Sequence, residues 1–210
     1  MNETEKNMYA AFLDLKGLEC LLVGGGKVAG RKAGLLLEAC AAVTVVAPEA
    51  GNRISGLAKS GRLKWEKREY LDGEAADYFL IVAATNNRDL NSRVSRDALN
   101  AKRLINAVDM PELCNFYVPS LLKRGELRIA LSTSGACPAL ARKLRKDLED
   151  RYPESYARLV AALRSYRERI IAEVPDGAER KQLIERAVYS PEAERFLEGD
   201  EGPLKDMLEL

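Results

Sequence analysis

Cys20-Leu21-Leu22-Val23-Gly24-Gly25-Gly26-Lys27-Val28-Ala29-Gly30-Arg31-Lys32 decides the fold. Its apolar opening reads as a buried strand, which stops at three glycines. Val28, Ala29, Ala33, Leu36, Leu37 and Cys40 then recur at helix spacing. A strand, a glycine-rich turn and a helix in this order open a dinucleotide-binding βαβ unit. Gly24 permits the tight turn, and Gly26 leaves room for a pyrophosphate to touch backbone. The helix that follows aims unpaired N–H groups and its positive dipole end at that anion. Ala29 takes the third small-residue place, where the helix must pack close to the strand. The motif alone has a rival reading, a tight turn with no ligand.

Outward from this stretch, strands and helices alternate. Residues 8–19 read as a lead-in to the first strand. Val43–Ala47 is a second buried strand that Pro48 ends. An acid for the ribose hydroxyls belongs about twenty residues past the glycines. Here the acid is Glu49, just beyond the proline, and Arg53 is near enough to serve a 2′-phosphate, so the spacing leaves NAD and NADP both open. Residues 51–60 read as a short helix and 63–66 as an edge strand. Tyr78–Ala84 is the most continuous apolar run and suits a central parallel strand covered on both faces. Thr85-Asn86-Asn87 makes a turn at its carboxyl end. A helix over 88–100 and a strand over 104–108 follow, ending at Asp109. The class predicted is α/β, a doubly wound parallel sheet (Rossmann-like).

The pattern changes after residue 113. Phe116–Ser120 and Leu127–Ser132 read as an antiparallel pair separated by Lys123–Glu126. Thr133–Pro138 is a loop of small residues, and 139–150 an amphipathic helix with Leu140, Leu144 and Leu148 on one side. Everything from Pro153 reads helical and charged. The division predicted is 1–113, a dinucleotide-binding domain; 114–150, a small α+β dimerisation segment; and 151–210, a helical C-terminal domain.

Lys+Arg is 33 against Asp+Glu 32 over 210 residues, a formal charge of +1. That balance gives no reason to expect nucleic acid or an acidic membrane surface. No apolar run approaches the ~18 residues of a transmembrane helix. Met1–Lys6 is polar, unlike a signal peptide, so a cytoplasmic protein is expected. The four cysteines form no C-x-x-C pair. Cys20 and Cys40 sit in apolar settings and read as small core residues. There is no histidine, which excludes Ser-His or Cys-His nucleophiles, a His-ligated metal and a His proton shuttle. Acid/base chemistry falls to Asp, Glu, Lys, Tyr or Cys.

Five segments carry a resemblance: Gly24–Lys32, Ala83–Asn87, Asn106–Asp109, Phe116–Ser120 and Ser132–Arg142. In sequence and spacing they resemble the precorrin-2 dehydrogenases, the dehydrogenase/ferrochelatase part of siroheme synthases. The likeness runs over about residues 8–150; the remaining sixty or so resemble the family only in being helical. It implies NAD-dependent oxidation of precorrin-2 to sirohydrochlorin on the way to sirohaem, with Fe²⁺ insertion added in some members. It also implies a homodimer with swapped strands. The large methyltransferase domain of fused synthases has no room in 210 residues, so the methylations are expected of another protein.

Asp109 is the main catalytic candidate. It closes a buried strand at the carboxyl edge of the sheet, where such folds place their chemistry. In the family the matching aspartate is taken as a general base or as important for chelation; the alternative is an Asx-type turn before Pro111. The resemblance places Lys27, Val28, Pro48 and Glu49, with Gly24 and Gly26, against the cofactor. Thr85, Asn86 and Asn106 are polar groups at strand ends suited to nicotinamide riboside or substrate, or to turn chemistry alone. Ser132, Thr133, Ser134 and Gly135 precede a helix and suit a substrate carboxylate. Lys123, Arg124 and Arg142 would supply further grips, or a solvated basic face. Cys114 is a poor iron ligand without histidine, and no metal site is assigned. A non-catalytic, dimeric NAD(H)-sensing module is the rival function. An unrelated short-chain reductase is disfavoured, since the sheet domain lacks a Tyr-x-x-x-Lys pair.

Overall fold

The computed structural model describes residues 8–208, so the reading of Met1–Lys6 lies outside the described residues. The chain divides into two compact units, 1–118 and 119–210.

The first unit is a five-stranded parallel sheet. Its strands are β1 (Glu19–Val23), β2 (Ala42–Val46), β3 (Lys64–Glu66), β4 (Leu80–Ala83) and β5 (Leu104–Ala107), in the order β3-β2-β1-β4-β5. Val23 stands level with Val46 on one side and Ala83 on the other. Three helices connect them: α1 (Lys27–Glu38), α2 (Asn52–Lys59) and α3 (Arg88–Asn100). The doubly wound sheet expected from the alternation is thus present, with the edge strand and the 88–100 helix where they were read.

Both faces of the sheet are covered, which is why β1, β2 and β4 are almost wholly apolar, whereas the edge strand β3 carries Lys64 and Glu66. On β1 the two-residue period sends Cys20 and Leu22 to one face, under Ala29, Ala33 and Leu36 of α1 and Ile54 of α2. Leu21 and Val23 face the other way, toward Val94 and Ala98 of α3. Each fully buried Leu, Ile or Val contributes ~1.5–3 kcal/mol. The chain winds to β2 and β3 on one side of β1, then returns to β4 and β5 on the other. The crevice of such a sheet opens where that reversal occurs, at the carboxyl ends of β1 and β4.

Cys40 is not a core residue: it is exposed. α1 stops at Glu38, and Cys40 stands just past its cap with φ +58°. Its N–H bonds the Leu37 carbonyl at 3.0 Å, and that of Ala41 bonds Leu36 at 3.1 Å, closing a Schellman turn. Helix spacing ran two residues past Glu38, the last of the helix, onto a position whose left-handed backbone closes it. Lys102 repeats the arrangement after α3, at φ +56°.

In the second unit, β6 (Ser120–Arg124) and β7 (Leu127–Leu131) form the antiparallel pair. The first strand is displaced from the expected 116–120 and includes Lys123 and Arg124. Gly125, at φ +56°, allows a two-residue turn that pairs Arg124 with Leu127. Phe116 and Tyr117 pack instead on the two cores of the first unit. Then come α4 (Pro138–Arg151), α5 (Ser155–Glu173), α6 (Gly177–Val188), α7 (Pro191–Glu198) and α8 (Gly202–Leu208). The last four close around Leu159, Tyr166, Ile170, Ala187, Phe196 and Leu204, and the Asp176 and Ser190 side chains cap α6 and α7. On α4 Ala141 is 7 % exposed, while Leu140 and Leu144 are 45 % and 40 % exposed. Among the described residues no helix is long and apolar enough to cross a membrane.

Candidate dinucleotide site

A cleft of about 670 Å³ opens at the carboxyl edge of the sheet. Its floor is Val23 and Gly24–Gly26, one wall is Val46–Glu49, and the other is Ala84–Asn87. Gly24 has φ +122°, and a Cβ there would stand 2.4 Å from the Ala84 carbonyl oxygen, so only glycine serves. Around a Cβ at Gly26 there is nothing within 4 Å. This is open backbone at the start of α1, as the motif requires. No side chain caps α1 and its first turn carries no acid, so its first amides are available to an anion.

The middle glycine was overlooked in the sequence. A Cβ at Gly25 would lie 1.8 Å from the Glu49 carbonyl oxygen, and the Gly25 carbonyl accepts the Gly51 N–H at 2.9 Å. Gly25 therefore joins the β1–α1 turn to the β2–α2 turn. Three consecutive glycines were the available signal: the motif itself needs only two. Pro48 and Glu49 line the cleft, whereas Lys27 and Val28 are exposed at the head of α1 and outside its lining.

The opposite wall is held by Asn91, 2 % exposed on α3, which sequence reading also missed. Its carbonyl oxygen accepts the Thr85 hydroxyl at 2.8 Å, and its amide donates to the Thr85 carbonyl at 3.0 Å. Asn87 caps α3, accepting the Leu90 N–H at 3.1 Å. Turn and cap chemistry thus accounts for Thr85 and Asn87, while Asn86 stays exposed on the wall. The far end is shaped by Tyr70, whose hydroxyl donates to Asp97 at 3.0 Å. Burial, then that bond, holds this hydroxyl protonated well above the usual tyrosine range.

Asp109 stands beyond β5, exposed and outside the lining of the cleft. The Val108 N–H bonds the Ala83 carbonyl at 2.9 Å, which sets this turn beside the end of β4. Asp109 adopts φ +58°, an uncommon backbone for a non-glycine residue. The buried Cys114 brackets the turn: its sulfur accepts the Ala107 N–H at 3.1 Å, and its thiol reaches the carbonyls of Ala107 and Met110 at 3.2 and 3.3 Å. Asn106, 8 % exposed, donates to the Phe116 carbonyl at 3.2 Å and to Cys114 at 3.6 Å. Lys32 of α1 lies within the field of Asp109; burial, then Arg31, lowers its pKa, against the pull of Cys114 and Asp109.

The remaining predicted residues belong to the second unit. Ser132 accepts the Ser134 N–H at 3.1 Å, and the Thr133 hydroxyl oxygen accepts the Cys137 N–H at 3.0 Å. Ser134 and Gly135 are both left-handed, at φ +53° and +87°. Arg124 is engaged structurally: it donates to the carbonyls of Tyr152 at 2.8 Å and Glu149 at 3.2 Å, closing the end of α4. Lys123 and Arg142 are exposed.

A doubly wound sheet with bare glycine backbone opening a cleft at its switch point defines a dinucleotide-binding protein. The chain belongs to the family described as putative NAD(P)-binding, matched over residues 11–120. Residues 124–151 match the central region of sirohaem biosynthesis proteins, and 155–210 the sirohaem synthase dimerisation region. The chain is 37 % identical over 203 residues to a siroheme synthase of Thioalkalivibrio sulfidiphilus, covering 97 % of this chain and 42 % of that protein. It is 39 % identical over 188 residues to one of Methylococcus capsulatus, covering 90 % and 40 %. It therefore spans about two-fifths of the length of these relatives. Its structure is similar to that of SirC, a precorrin-2 dehydrogenase, with a TM-score of 0.83 at 28 % identity, over 96 % of this chain and 99 % of that one. The resemblance carried by five short segments over residues 8–150 thus extends further than expected: the last sixty residues, expected to share only their helicity with the family, match its dimerisation region over 155–210.

Proposed function

We propose that this protein is an NAD-dependent precorrin-2 dehydrogenase, oxidising precorrin-2 to sirohydrochlorin in sirohaem biosynthesis. The observation that carries the reading is the open glycine turn at the head of α1, joined to a likeness to SirC that covers 99 % of that chain. The turn fits the cofactor: Gly26 leaves free space where a pyrophosphate would lie against backbone amides. NAD⁺ supplies the acceptor for the hydride that leaves the tetrapyrrole. Glu49 takes the ribose hydroxyls at the end of β2, and Thr85 and Asn86 line the nicotinamide side. Asp109 accepts the proton that the oxidation releases; Cys114 and the turn at residue 109 hold that carboxylate at the sheet edge. The loop Ser132–Gly135, with Lys123 and Arg142, grips the acetate and propionate groups of the substrate.

The working unit is a homodimer in the cytoplasm. The dimerisation match over 155–210 and the exposed leucines at 121, 140 and 144 support the dimer; light scattering at twice the chain mass is expected. The purified protein with precorrin-2 and NAD⁺ should form sirohydrochlorin and NADH in equal amounts, and Asp109→Asn should lower turnover while sparing NAD⁺ binding. Folded protein that binds NAD⁺ and gives no turnover rejects the enzyme in favour of the sensing module.

A further inference from the structure

Arg53 is the cation nearest in sequence to the ribose end of the cleft, four residues past Glu49 in the first turn of α2. It does not line the cleft. Its side chain lies along α1, over two glycines one turn apart. A Cβ at Gly30 would stand 3.3 Å from both Cβ and Cδ of Arg53, and a Cβ at Gly34 would stand 2.4 Å from Nη2. Four residues of helix advance about 6 Å. Gly34 is the further of the two from the head of α1, so the guanidinium is directed down the helix and away from the pyrophosphate end. Any side chain larger than hydrogen at Gly34 would take the place the guanidinium fills.

The charges that do line the cleft are Glu49, Glu69, Asp89 and Arg93. The single cation among them is engaged: Arg93 Nε lies 3.1 Å from Asp72, its Nη2 donates to the Tyr70 carbonyl at 3.4 Å, and its guanidinium covers the Tyr70 ring at 5.6 Å. Among the described residues of the lining, a dinucleotide meets Glu49 at its ribose, and the one cation is ion-paired with Asp72. A 2′-phosphate would add about two negative charges against Glu49 with nothing to pair them.

We propose that Gly30 and Gly34 form a trough that holds Arg53 off the ribose, and that this trough, together with Glu49, makes the cleft select a dinucleotide without a 2′-phosphate. Discrimination comes from withholding a base as much as from presenting an acid. The inference rests on the dinucleotide reading of the cleft, not on the tetrapyrrole.

The test is calorimetric titration of the full chain with NAD⁺ and NADP⁺. The unaltered protein should bind NADP⁺ about a hundredfold more weakly, the scale of an uncompensated like-charge contact. In Gly34→Ala the guanidinium must leave the trough, an inexpensive move for the end of a flexible side chain. NADP⁺ should then bind about tenfold more tightly, with NAD⁺ affinity within about twofold. Adding Arg53→Gln to Gly34→Ala should remove that gain, and thermal melts of each variant report that it is folded. Equal affinity for the two dinucleotides in the unaltered protein, an unchanged ratio in Gly34→Ala, or a gain that survives the loss of Arg53 each overturns the proposal. Selective NAD⁺ binding without precorrin-2 turnover would reject the enzyme reading and leave this one standing.

Discussion

Two neighbouring glycines separate cofactor binding from folding. Gly26 has φ −77° and ψ −174°, a backbone any residue adopts, and open space at its Cβ. Gly26→Ala loses ~0.5–1 kcal/mol at a helix N-cap and recovers ~0.4–1 kcal/mol by restricting the unfolded chain. The net change is near zero, and at this chain length the melting temperature should move by less than about 2 °C. For the cofactor the same methyl occupies the space of the pyrophosphate. Displacing the anion from even one or two amides, at ~1.5–3 kcal/mol for each charge-assisted bond, weakens NAD⁺ binding by about tenfold or more. Gly25→Ala should do the reverse to the fold. Its Cβ would lie 1.8 Å from a backbone oxygen that cannot move aside alone, so the Gly51–Gly25 bond breaks and the two turns part. A loss of ~3 kcal/mol or more lowers the melting temperature by about 6–12 °C. Thermal melts and NAD⁺ titrations of both variants check this. Unchanged NAD⁺ affinity in Gly26→Ala, with the fold intact, would refute the placement of the pyrophosphate on this turn.

Other outcomes follow from the same contacts. Asp97 accepts both the Tyr70 hydroxyl and the Gly73 N–H, at 3.0 and 2.9 Å; Asp97→Ala should cost ~1–3 kcal/mol in denaturant unfolding. Lys102→Gly relieves a left-handed lysine at a helix end and should add ~0.5–1 kcal/mol by the same measurement. At pH 8 a thiol reagent should modify Cys40 rapidly and leave Cys20 untouched until unfolding, because burial and then Glu19 push that thiol up to about 11.

The sheet was legible because its central strands are apolar on both faces and its punctuation is strong: three glycines after β1, Pro48 after β2, Asn87 before α3. The errors came where backbone handedness or tertiary context overrides pattern. Nothing in composition marks Cys40 as left-handed, since the usual glycine is absent there. Phe116–Ser120 has strand composition, yet Phe116 and Tyr117 are drawn onto the first unit's cores, and the tight turn at Gly125 lets the first strand of the hairpin run on to Arg124, while the second stands where it was expected. At the site, residue type located the glycine turn and the Pro48–Glu49 wall. It did not show that Arg124 is tied to the end of α4, that Asn106 is buried against Phe116, or that Arg53 lies along α1. Those depend on where flexible side chains settle, which spacing does not encode. Asn91 carried a weak signal, an amide among the apolar positions of α3.

The most direct test of the account is a structure of the protein with NAD⁺ bound. The pyrophosphate is expected within hydrogen-bond distance of the amides at the head of α1, with the adenosine ribose at Glu49 and the nicotinamide toward Thr85 and Asn86. A dinucleotide seated elsewhere, or a cleft that stays empty at saturating NAD⁺, would contradict it.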